Sequence, residues 1–217
     1  MRFTNTLTIA AAAVITVTGA SASTLYSQPF DGTNNVFASQ NDTGGFGNFA
    51  TTYDDFHLGS AADITTVDFT GSYFNPPSQG TITAFTLNIY ADNAGQPGTL
   101  LYSANVSGTG NETFLGNFGD PTYTYSVPTN FNAAAGTTYW LSVVPDLGFP
   151  PQWGWNTATG GDNLGWQDFF GTRSQNGSDF AFTLLGGVPE PASWALMLCG
   201  FASLGAALRS RRRIAAA

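Results

Sequence analysis

The 217-residue chain predicts an all-β fold, an antiparallel β-sandwich of jelly-roll-like type. Short stretches alternate apolar and polar side chains with a period of two, Gly and Pro punctuate them, and no segment between 23 and 188 carries a helical period. Charged residues make up 9% of the chain where about 25% is usual. Aromatic residues reach 14%, which fits a packed core and not a disordered chain.

In chain order, Met1 and Arg2 lead into an apolar stretch over 7–17 and then "GASAS". This reads as a secretory signal peptide over 1–22, with Ala20 and Ala22 supplying the small-residue cleavage pattern. Residues 23–187 are long enough to enclose one core, and they are expected to form one extracellular domain. Their thirteen acids against Arg173 give a net charge of −12 with His57 neutral, so nucleic acid is excluded as a partner. The only cysteine, Cys199, lies beyond this domain, which must therefore hold together by packing without an internal disulfide.

Within the domain, "VDFTGSY" sets Val67, Phe69 and Tyr73 against Asp68, Thr70 and Ser72. "ITAFTLNIYA" places Phe85, Leu87, Ile89 and Ala91 on one face of a second strand, and Asn93, Gly95, Pro97 and Gly98 then mark a turn. "TTYWLSVV" opposes Tyr139, Leu141 and Val143 to Trp140, Ser142 and Val144, and "DFAFTLL" supplies a last strand.

Chemistry-bearing groups are sparse. His57 is the sole histidine and no G-x-S-x-G elbow occurs, which argues against a Ser/His/Asp hydrolase, and zinc catalysis lacks nitrogen and sulfur ligands. No catalytic residue is assigned and the chain is expected not to be an enzyme. A glycoside hydrolase working through paired carboxylates is a distant alternative. Glu112, the domain's only glutamate, sits in the polar, turn-like "GTGNETF", and surface solvation is expected for most of the acids. No cofactor is expected; a structural calcium ion is conceivable at Asp54 with Asp55, or at Asp162 with Asn163 and Asp168.

The tryptophan-rich "PPQWGWNTATGGDNLGWQDFF" is the candidate recognition stretch. Trp153 and Trp155 share a face if it is extended, and Trp166 follows a glycine-rich loop. Exposed, these rings would stack on sugars; the same rings would equally fill a sandwich core.

The tail is a separate device. Residues 192–208 are 17 in a row without a formal charge, a helix of about 25 Å against a hydrocarbon core of about 30 Å. Arg209, Arg211, Arg212 and Arg213 follow, and the positive-inside rule keeps them cytoplasmic with the acidic domain outside. Pro189 and Pro191 around Glu190 hold the chain extended just before the span.

Val188-Pro189-Glu190-Pro191, the apolar helix and the arginine cluster together resemble the PEP-CTERM sorting signal of Gram-negative bacteria, over 188–213. The resemblance implies an exosortase as processing partner, with Pro189, Glu190 and Pro191 as its recognition motif and transient anchoring in the inner membrane. It further implies a destination at the cell surface or in an exopolysaccharide or biofilm matrix. Through "DDFHLGS", "IYADNAGQPGTLLYS" and "AGTTYWLSVV" the body is similar to domains often carried with this tail, which implies a sandwich like those of surface and carbohydrate-binding modules. The expectation is an exported, exosortase-processed, non-catalytic surface or matrix protein, with a carbohydrate-binding module using the tryptophan-rich loop as the alternative.

Overall fold

The computed structural model describes residues 22–187, Met197 and residues 199–203. Residues 1–21 of the expected signal peptide, the motif Pro189, Glu190 and Pro191, and the cluster Arg209, Arg211, Arg212 and Arg213 lie outside the described residues. Among the described residues, no helix is long and apolar enough to cross a membrane.

Two seven-stranded sheets face each other across one core. The first contains β1 (Ser23–Gln28), β2 (Val36–Ala38), β5 (Ala62–Phe74), β8 (Thr113–Asn117), β9 (Pro121–Ala133), β11 (Gln152–Asn156) and β14 (Phe182–Gly187). The second contains β3 (Gln40–Asp42), β4 (Gly47–His57), β6 (Ala84–Asp92), β7 (Pro97–Ser107), β10 (Thr138–Leu147), β12 (Trp166–Phe169) and β13 (Thr172–Gln175). All pairings between these strands are antiparallel except the short one between β3 and β10.

The alternating stretches become the strands that face one another. Val67, Phe69 and Tyr73 of β5 and Phe85, Leu87 and Ile89 of β6 are all buried, and the Phe69 and Phe85 rings meet across the core at 5.2 Å. Burying one such side chain contributes about 1.5–3 kcal/mol. Asn93 N–H bonds Gln96 O in the turn joining β6 to β7, as Gly95 and Pro97 predict. Strand β10 is buried on both faces, so Trp140, Ser142 and Val144 are as enclosed as Leu141 and Val143; Trp140 Nε1 donates to Asp92 Oδ1 at 2.9 Å.

Strand β5 organises the first sheet. One side pairs with β9 for most of its length, and the other pairs first with β14 and then with β11. Its thirteen residues run about 40 Å. Ser23 lies opposite Gly186, and Gly187 opposite Asp63, so both ends of the domain sit at the pole where β5 begins. At the far pole, where β5 ends, Phe74 packs against the small cluster of Ala38, Phe49 and Ala50.

Candidate functional site

The three tryptophans do not form one exposed face. Trp153 and Trp155 are both 0% exposed on β11, inside the first sheet, whereas Trp166 is half-buried on β12 in the second. The reason is a slot. Gly71 shares the inward face of β5 with Phe69 and Tyr73, and a Cβ there would fall 2.0 Å from the Trp153 ring, so the missing side chain admits the indole. Both buried N–H groups are satisfied: Trp153 Nε1 donates to Tyr125 Oη at 3.0 Å and Trp155 Nε1 to Ala181 O at 2.9 Å. Trp166 Nε1 donates to Gly95 O at 2.9 Å and ties β12 to the β6–β7 turn. The glycan platform of Trp153, Trp155 and Trp166 is therefore corrected: two of its rings are core.

Surface solvation also fails for several acids. Glu112 receives the hydroxyls of Tyr73 and Tyr125 on Oε1 and the Gln79 amide on Oε2, anchoring the turn before β8 to the core tyrosines. Asp54 is fully buried; its carboxylate accepts from Phe180 N–H at 2.6 Å and Asp55 N–H at 2.9 Å. With its amide turned to suit both neighbours, Gln28 donates to Asp54 Oδ2 at 3.0 Å and accepts from Tyr26 Oη at 2.7 Å. Burial drives the Asp54 carboxyl well above its usual range. Asp55 is raised to about 7 by burial and by the nearby charges of Asp162 and Asp179.

Neither proposed calcium cluster converges. Asp54 and Asp55 are consecutive on β4 and point to opposite faces. Asp168 is taken by Arg173, at 2.7 Å, and by Tyr53 Oη, while Asp162 turns back onto Leu164 N–H. Among the described residues, no group of three or more His, Cys, Asp or Glu side chains could hold a metal ion. His57 is exposed at the end of β4.

Among the described residues, a groove of about 440 Å³ lies on the outer face of the first sheet, away from the core. Because strand side chains alternate, the residues between the core positions of β5, β9 and β14 all face this side. Register then lines them up across the sheet: Ser27 opposite Thr183, Thr183 opposite Asp68, and Asp68 opposite Ser126. A second row sets Thr70 opposite Thr124 and Thr124 opposite Thr113. Pro29 and Phe30 line the groove together with Asn111 and Thr113. The Phe30 ring is fixed by an edge-to-face contact with Phe118 at 5.0 Å, and Asn111 by a hydrogen bond its Nδ2 donates to Ser126 O at 3.2 Å.

The charge in the groove is Asp68. Among the described residues its Oδ1 is buried and has no hydrogen-bond partner. Asp68, Thr70, Thr124 and Ser126 belong to the polar halves of "VDFTGSY" and "TYTYS", where period-two alternation marks a water-facing side and carries no sign of a groove.

No family model matches the chain, and no curated protein matches it.

Proposed function

We propose that this is an exported, exosortase-processed protein that acts without catalysis at the cell surface or in the exopolysaccharide matrix. One geometric observation carries the reading. Ser23 and Gly186 are paired neighbours, so the expected signal-peptide junction and the sorting tail both attach at one pole of the sandwich. A domain held that way hangs from the inner membrane by one end and keeps both sheet faces clear of it. Cutting near Pro189-Glu190-Pro191 frees it without touching a strand, since β14 ends at Gly187.

In this reading residues 1–22 direct export and 192–208 span the inner membrane transiently as a helix. Arg209, Arg211, Arg212 and Arg213 stay cytoplasmic, and a jelly-roll-like sandwich is delivered outside. The net charge of −12 on residues 23–187 keeps the domain soluble and away from nucleic acid.

The test is fractionation of an exosortase-bearing host producing the chain with Glu190→Ala and Pro191→Ala, beside the unchanged chain. The unchanged chain should leave the membrane fraction as a shortened product, and the variant should accumulate there at full length. Equal release of both would defeat the sorting assignment.

A further inference from the structure

We propose that the groove on the outer face of the first sheet is a binding site for a neutral saccharide, centred on Asp68. The inference rests on the matrix reading in one respect, that a polysaccharide surrounds the domain.

The groove's chemistry selects the ligand class. Asp68 lines the groove in one row with Thr183 and Ser126, and among the described residues no protein donor neutralises its buried Oδ1, so the carboxylate keeps its acceptor strength for a donor that enters the groove. A sugar hydroxyl donates to a carboxylate and exchanges hydrogen bonds in both directions with Ser and Thr hydroxyls. An anionic ligand such as a phosphate, sulfate or uronate would meet Asp68 with no Lys or Arg lining the groove to offset it. A bare cation would find Asp68 as the groove's only carboxylate, too few hard ligands for calcium. The Phe30 ring, held by Phe118, offers an apolar surface to the C–H face of a pyranose. The volume of about 440 Å³ falls within the range of small-molecule sites.

The site is also rigid. Its floor residues stand on three adjacent paired strands, with Ser27 Oγ and Thr183 Oγ1 hydrogen-bonded to each other at 2.8 Å across a fourth. Hydroxyls fixed by backbone pairing lose little freedom when a ligand arrives, which favours recognition by a shallow groove.

The experiment uses the full chain in a phosphocholine detergent, which carries no sugar headgroup. It is titrated calorimetrically with cellotetraose, laminaritetraose, mannotetraose, chitotetraose and tetragalacturonate, and amide NMR shifts are followed in parallel. At least one neutral tetrasaccharide should bind saturably and shift the Thr70, Thr124 and Ser126 amides. Asp68→Asn, which keeps the shape and removes the charge, should weaken that binding at least tenfold, and Thr183→Val about threefold or more. Ser174→Ala on the other sheet should leave it unchanged.

Absence of saturable binding to all four neutral sugars overturns the proposal. So does unaltered affinity in Asp68→Asn, a preference for tetragalacturonate, or shifts confined to other residues. Because the chain is purified whole, these outcomes do not depend on tail cleavage: a chain that binds sugar yet is never cut defeats the sorting reading alone.

Discussion

Trp153 Nε1 donates to Tyr125 Oη at 3.0 Å, joining a buried indole of β11 to a buried phenol of β9 across the width of β5. Tyr125 in turn donates to Glu112 Oε1 at 2.9 Å, so a surface turn terminates a hydrogen-bond chain that begins in the core. Glu112→Ala strands two buried tyrosine hydroxyls and should cost about 2–3 kcal/mol, while Glu112→Gln, which keeps an acceptor, should cost about half of that. Urea unfolding followed by tryptophan fluorescence measures both.

The slot over Gly71 makes an equally sharp demand. A methyl group there meets the Trp153 ring at 2.0 Å and Gly154 O at 2.9 Å, with backbone on one side and a packed ring on the other. Gly71→Ala should destabilise the domain by about 3 kcal/mol, and Trp153→Phe, which shrinks the ring, should recover part of that loss in the double variant. A denaturation midpoint for each single and double variant tests the coupling.

Tryptophan truncations should sort by burial. Trp155→Ala empties a core site beside Phe180 and Phe182 and should cost about 3–5 kcal/mol, whereas Trp166→Ala, at a half-buried position on a short strand, should cost about 1–2 kcal/mol. Trp166→Ala, on the other sheet, should act on the Asp68 groove only through folding. Thermal melts of the two variants give the comparison.

Stability should fall between pH 5 and pH 7.5. Asp55, raised to about 7 in the folded chain by burial, Asp162 and Asp179, contributes stability that is complete below its unfolded value near 4 and is lost as pH rises through 7. Buried Asp54 acts in the same sense. Asp42, held low by the Phe46 and Phe149 N–H groups, and Asp168, held low by Arg173, act oppositely, but only as pH drops below the ordinary carboxylate range. Asp55 is partly exposed, so solvent screening limits its share to about 1–2 kcal/mol. Melting temperatures across this range should flatten in Asp55→Asn.

Local alternation was enough to read β5, β6, β10 and β14, while β4 and β9, equally long, were not read from it. The inward sets of β5, β6, β10 and β14 are the apolar residues of "VDFTGSY", "ITAFTLNIYA", "TTYWLSVV" and "DFAFTLL", and the turn at Gly95 and Pro97 follows from its residues. Short strands such as β2, β3 and β13 have too few residues to show a period. The burial of Trp153 was not readable because it depends on Gly71, 82 positions earlier, lying beside it in the sheet. The groove was hidden for the same reason: Asp68, Ser126 and Thr183 are ordinary polar residues in their own segments, and only strand register sets them in a row.

The mature protein's ends are the decisive observable. Intact mass and terminal peptides of the chain recovered from the surface or matrix of an exosortase-bearing host should show a product that begins at Ser23 and lacks residues 192–217. A surface protein that still carries Arg209 to Arg213 would contradict it.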